Sequence, residues 1–280
     1  MLKNQNGRGV LMYTQTTVTT KTNKHDRPIA VFDSGVGGIS ILRELKKLMP
    51  HEDFIYYGDC ANAPYGTKSV DEIERLTLSA SKHLYEKDIK CLVIACNTAT
   101  AVCISKLREI YTDIPIIGVE PALKPAVNAK PGGNIIVMAT PVTLHQEKFI
   151  SLLSKYGEHS KIVMLPCPGI VELIESGETE GENIENRVRE LFAPFDVMKL
   201  DAVVLGCTHY PFIKSTVLRV IGKNAVLFDG GEGTARETLK QLIIYGYERS
   251  PSQTADGEVV FINSSPTKDT SFMQKLYLAQ

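Results

Sequence analysis

The residues best equipped for chemistry in this chain are two cysteines set in near-copies of one stretch. Cys96 ends the run Leu92-Val93-Ile94-Ala95 and is followed by Asn97-Thr98; Cys207 ends Val203-Val204-Leu205-Gly206 and is followed by Thr208-His209. Each run is apolar, rich in β-branched residues, and stops at a thiol beside hydrogen-bonding neighbours, as a buried parallel strand does when it ends at a site. His209, two residues past Cys207, can share the thiol proton or stabilise the thiolate. Cys60, Cys91, Cys103 and Cys167 lack such surroundings and read as core or inert residues.

Two thiols on separate walls allow three kinds of chemistry. Metal binding would need Cys96, Cys207, His209 and Asp33 to converge without a local CxxC or HxxxH clamp. A redox disulfide would pair cysteines that stand far apart in sequence. In the third arrangement the thiols flank one carbon, one removing a proton while the other delivers one to the opposite face, which is a two-base racemase. No strand-end motif offers a lysine for a Schiff base. A binding protein of the same architecture, holding an acidic ligand or a protein partner without proton transfer, is the alternative of a different class.

Positioning two such thiols requires two similar frameworks, and the chain repeats itself further upstream. Ile29-Ala30-Val31-Phe32-Asp33-Ser34 and Ile135-Ile136-Val137-Met138-Ala139-Thr140 both end a strand at a hydroxyl residue; Asp33 stands 63 residues before Cys96, and Ala139 stands 68 before Cys207. Helical periodicity marks 37–48, 69–86, 99–111 and 143–156, and strand-like runs mark 54–57, 92–95, 115–119, 135–139, 161–165, 202–206 and 225–228. This alternation predicts an α/β protein: two pseudo-symmetric, doubly wound domains with parallel sheets and the site in the cleft between them. Residues 28–119 with 229–280 are expected to form the first domain and 120–228 the second. A polar patch at 176–183 interrupts the second half, and Pro194 stops or kinks the helix that follows the patch. The strand Val259-Val260-Phe261-Ile262 and a final helix ending near Leu276 should return to the first domain.

Asp33-Ser34-Gly35-Val36-Gly37-Gly38 leaves a strand and opens a helix, a geometry that lets an anionic group approach backbone N–H groups. A dinucleotide fold would use the same turn, with Asp59 as its ribose-binding acid, but Ser40 stands where the third glycine belongs and Asp33 puts a carboxylate beside the pyrophosphate. The loop from Cys60 to Thr67, with its Pro64-Tyr65-Gly66 turn, suits contact with a substrate.

Of the 280 residues, 43% are hydrophobic and 22% charged, an ordinary globular composition, and the net charge of −1 leaves no electrostatic footprint for nucleic acid or an anionic membrane. No apolar run approaches the ~20 residues that span a bilayer. Six cysteines without a CxxC pair fit a reducing cytoplasm better than a disulfide framework. Residues 1–27 are rich in Thr, Lys and Asn and read as a disordered extension without a secretory signal, Met12 being an alternative start.

Four motifs in order, Asp33-Ser34-Gly-Val-Gly-Gly, Asn62-Ala-Pro64-Tyr65-Gly66, Ala95-Cys96-Asn97-Thr98-Ala99 and Gly206-Cys207-Thr208-His209-Tyr210-Pro211, resemble the signatures of the glutamate racemases of the aspartate/glutamate racemase superfamily. The resemblance spans Pro28 to about Gly246. It implies interconversion of L- and D-glutamate for peptidoglycan precursors without cofactor or metal, with glutamate as the small-molecule partner; the chain is also compatible with a homodimer. By the same resemblance Cys96 works on the D-enantiomer with Asp33 assisting, and Cys207 on the L-enantiomer with His209 and Glu175 assisting. Asp33, Ser34, Pro64, Tyr65, Gly66, Asn97, Thr98, Thr140, Thr143, Thr208 and His209 match positions that hold the substrate. An aspartate racemase is the nearest rival within the enzyme class.

Overall fold

A computed structural model of the chain describes residues 23–157, 160–249, 255–267 and 269–279. The expected N-terminal extension lies outside them up to residue 22. Its last residues are held to the body of the protein, since Lys90 Nζ donates to the His25 carbonyl at 2.6 Å.

Two parallel sheets carry the fold. In the first, β1 (Ile29–Asp33), β2 (Phe54–Gly58), β3 (Cys91–Ile94) and β4 (Ile116–Gly118) run in the order β4-β3-β1-β2, and β9 (Val259–Asn263) joins the far side of β2. In the second, β5 (Asn134–Ala139), β6 (Lys161–Pro166), β7 (Ala202–Leu205) and β8 (Val226–Asp229) run β6-β5-β7-β8. Matching β1 to β5, β2 to β6, β3 to β7 and β4 to β8 makes the two orders identical, so the protein is two pseudo-symmetric α/β domains. The strand order reverses between β1 and β3 and again between β5 and β7, the places where open parallel sheets bind ligands. Cys96 follows β3 and Cys207 follows β7, so the thiols stand at equivalent points of different domains.

The central strands β1, β3 and β7 are wholly buried because helices cover both faces, whereas at the sheet edges β6 is largely exposed and β8 mostly half-buried. In the first domain, α1 (Ile39–Leu48) buries Ile39, Ile41, Leu42 and Leu45. Ser69 caps α2 (Val70–Tyr85) by accepting from the Glu72 N–H at 3.3 Å, and α3 (Asn97–Ile110) begins at Cys96. The second domain opens with α4 (Leu123–Ala129).

The single helix expected over 143–156 is two: α5 (Pro141–Leu144) and α6 (Glu147–Tyr156). Thr140 caps α5 and Pro141 occupies its first turn, so the helix starts earlier than periodicity suggests. His145 Nδ1 lies 2.7 Å from the Pro141 carbonyl, and Gln146 is extended, which ends the short helix and starts the next. Residues 176–181 of the polar patch form the turn between α7 (Ile170–Glu175) and α8 (Glu182–Phe192), its last two residues open α8, and α8 stops ahead of Pro194. After α9 (Lys214–Ile221) and β8, α10 (Gly231–Tyr245) and α11 (Ser271–Leu278) pack on α1. One apolar cluster runs from Val36, Leu42 and Met273 through Cys207 and Tyr210 to Ile174, Ile184 and Val188, joining the domains beneath the site. Among the described residues no helix is long and apolar enough to cross a membrane.

Candidate active site

On the first wall, Cys96 caps α3: the Ala99 N–H donates to Sγ at 3.5 Å, satisfying a helix-start donor that has no intrahelical partner. The positive end of α3 favours a thiolate there. Burial opposes this and wins, pushing the thiol up to about 12, with the Asp33 carboxylate acting in the same direction and the Ser34 and Ala99 hydrogen bonds against it. Ser34 Oγ is 3.4 Å from the sulfur. Cys96 is therefore a protonated thiol at neutral pH.

The second wall is built differently. Cys207 Sγ lies 3.6 Å from His209 Nδ1, and His209 Nε2 lies 2.6 Å from Glu175 Oε1. The same oxygen accepts the Val36 N–H at 2.8 Å, so a chain of bonds runs from the thiol of the second domain into the glycine loop of the first. Burial alone would lower the His209 pKa; its bonds to Cys207 and Glu175 outweigh that and hold the imidazole well above its ordinary value. The close approach explains two glycines: a Cβ on Gly35 would collide with the Glu175 carboxylate, and one on Gly37 with the His209 ring and the Thr208 hydroxyl.

Between the walls, Asp33 is fully buried, accepting the Gly35 N–H at 2.9 Å and the Thr208 hydroxyl at 3.0 Å. Burial raises its pKa, and the His209 charge and the two hydrogen bonds pull against that. Thr98, Thr140 and Thr143 form a buried triad of hydroxyls 2.9 to 3.2 Å apart, again joining the two domains. In the 60–67 loop, Tyr65 donates to Asp59 at 2.6 Å and the Asn62 amide donates to the same carboxylate, while Gly66 packs against Thr140. Pro64, preceded by a cis peptide bond, leads into the turn Tyr65–Thr67. Asn97 and Thr143 line a cavity of about 220 Å³ bounded by Phe149, Leu152 and Lys155. A larger one of about 540 Å³, beside Arg108, Tyr111 and Glu237, touches none of these residues and is remote from the thiols. The geometry thus offers a protonated thiol, a thiol paired with an imidazole, and hydroxyl and N–H donors between them, all closed off from bulk water.

A profile of the Asp/Glu/Hydantoin racemase family matches residues 39–238. The chain belongs to that family. It is a racemase, an enzyme of the isomerase class. A glutamate racemase of Clostridium botulinum (strain Loch Maree / Type A3) is 52% identical over 247 residues, covering 88% of this chain and 95% of that protein. The crystal structure of the Francisella tularensis glutamate racemase in complex with D-glutamate superposes with a TM-score of 0.77 at 30% identity, covering 91% of this chain and 94% of that one. The Escherichia coli glutamate racemase, solved with L-glutamate and the activator UDP-MurNAc-Ala, gives a TM-score of 0.74 at 32% identity and covers 86% and 91%.

The dinucleotide reading fares poorly in the racemase structure. Asp59 is buried and committed to Tyr65 and Asn62, so it is not free to hold a ribose. Among the described residues no group of three or more His, Cys, Asp and Glu side chains is arranged to hold a metal. Cys91, Cys103 and Cys167 are buried free thiols, raised by burial; Cys60 is half-buried. Sequence reasoning missed the Val36 N–H, the Tyr56 hydroxyl that holds the Gly35 carbonyl at 2.7 Å, and the structural use of Asp59. A backbone donor leaves no mark in a sequence, and Asp59 was legible only as an acid at a strand end.

Proposed function

We propose that this racemase interconverts L- and D-glutamate by exchanging the Cα proton between Cys207 and Cys96, without cofactor or metal. The observation that carries the reading is the pair of buried thiols at equivalent strand ends, one hydrogen-bonded to Ser34 and Ala99 and one joined through His209 to Glu175. From L-glutamate, Cys207 with its imidazole partner takes the Cα proton while the Cys96 S–H supplies one to the opposite face. In the reverse direction the Cys96 thiolate is the base, and the Asp33 carboxylate, which raises the pKa of that thiol, makes it a stronger base toward the Cα proton. The carbanion between the steps needs donors at its carboxylate, and Asn97, Thr98 and Thr208 beside the thiols suit that task. Ser34, Pro64, Tyr65, Gly66, Thr140 and Thr143 complete the proposed substrate shell with Asp33 and His209.

The names of the relatives above support glutamate, and the absence of a membrane-crossing helix among the described residues is compatible with a cytoplasmic enzyme supplying D-glutamate to peptidoglycan. The proposed domain limits are 28–119 with 229–280, and 120–228; the presence of two separate sheets supports a division there, although Asp229 pairs with Leu205 in the second sheet. Cys96 and Cys207 are only 5% and 7% exposed, so admission of a substrate calls for the domains to part. The test is circular dichroism of purified protein with L-glutamate, L-aspartate and L-alanine separately, no cofactor added. Loss of optical activity with glutamate alone is expected; loss with aspartate instead would move the assignment to that substrate, and no loss with any would favour a binding protein.

A further inference from the structure

We infer that Ser40 is a positioning residue for the Cys207–His209 pair, clamping that segment of the second domain to the glycine loop of the first; this rests on the two-thiol reading above. Ser40 is the second residue of α1, and its Oγ lies 2.9 Å from the Gly37 carbonyl and 2.9 Å from the Thr208 carbonyl. The single hydroxyl proton serves one of these carbonyls at a time, and Gly37 already accepts the Ser40 backbone N–H at 3.0 Å, which leaves the hydroxyl for Thr208. The bond to Thr208 spans 168 residues and is not required by the helix.

Thr208 sits between the thiol and the imidazole and is gripped from the first domain at both ends, its hydroxyl by Asp33 and its carbonyl by Ser40. Holding that carbonyl fixes the Thr208–His209 peptide, and with it the direction in which the imidazole leaves the backbone toward Glu175 and the sulfur. Cys96 has no such dependence, because its partners Ser34 and Ala99 both belong to the first domain. Ser40 also lines a small polar space shared with Asn97, Cys207, Thr208 and Asp229, so it stands directly behind the Cys207 segment. The groups that face Cys207 electrostatically are His209, Cys96, Cys167 and Tyr210, with Glu175 and Asp33 acting on the imidazole.

Ser40→Ala and Ser40→Thr test this in the full chain. Each is assayed for glutamate racemisation and for iodoacetamide alkylation of Cys207 and Cys96 against pH, read peptide by peptide by mass spectrometry. With Ala, kcat should fall about tenfold, the loss expected for one hydrogen bond, while KM stays within about twofold. Cys207 alkylation near neutral pH should slow several-fold with Cys96 unchanged, and Thr, which keeps the donor, should restore both. Equal changes at the two thiols, a change in KM alone, wild-type behaviour of Ala, or a folded Thr variant no better than Ala would each overturn the inference. Should Ala not fold, Ser40→Cys, similar in size with a weak donor, takes its place. A wild-type protein that alkylates as described but fails to racemise glutamate would sink the functional reading and leave the clamp standing.

Discussion

Replacing Glu175 by Gln removes the charge behind His209 while keeping the size and an oxygen for the Val36 N–H. The lost interaction is a 2.6 Å bond between side chains only 3% and 14% exposed, so solvent screening does little to weaken it. A charge-assisted bond of this kind is worth about 1.5–3 kcal/mol, which at about 1.4 kcal/mol per decade is about 10- to 150-fold in the proton transfer involving Cys207. The retained amide oxygen places the expectation near the lower end. Since the enantiomers have equal free energy, kcat/KM must fall equally from either side. The primary isotope effect carries the direction, and should rise more with Cα-deuterated L-glutamate than with the D-isomer. Stability gives a second readout with a definite sign. The folded pKa of His209 is raised, so its contribution is fully present below about pH 6.5 and is lost as pH rises through the folded value. The wild type should therefore exceed the variant in thermal stability most at mildly acidic pH, with the gap closing toward alkaline pH. Unchanged rates together with a gap independent of pH would refute the claim that Glu175 holds the imidazolium.

Cys96→Ser and Cys207→Ser should each lose racemisation by about 100-fold or more, because serine is a far weaker acid at the point of proton exchange. With a substrate bearing a leaving group on Cβ, Cys96→Ser should eliminate only from the L-isomer and Cys207→Ser only from the D-isomer, followed by release of the keto acid; elimination from the same enantiomer by both would contradict one thiol per face. Activity should survive dialysis against a chelator and treatment with a carbonyl-trapping reagent, and a loss restored by zinc or pyridoxal phosphate would end the cofactor-free reading. In the shared core, Ile184→Ala on α8 empties a fully buried site and should cost about 2–5 kcal/mol in denaturant melts without changing the ratio of alkylation rates at the two thiols.

The α/β class, the repetition of a strand–helix framework and the placing of Cys96 and Cys207 after equivalent strands were all legible in the sequence. They depend on short-range signals: apolar runs, helical periodicity, and polar residues where a strand stops. Even at that range the capping chemistry of Thr140 and Pro141 moved the helix start ahead of the periodicity, and the extended Gln146 divided one expected helix into two. The tertiary structure alone decided that Glu175 reaches Val36 across 139 positions, that Thr208 reaches Asp33 across 175, and that Ser40 meets the carbonyl between the second thiol and its histidine. It also decided that burial raises the pKa of the Cys96 thiol while Cys207 and Glu175 raise that of His209. A residue's type states which bonds it can make. Which bonds form, and which proton is held, follows from how an apolar cluster common to both domains closes their faces together and excludes water, and no local pattern in the chain encodes that distance.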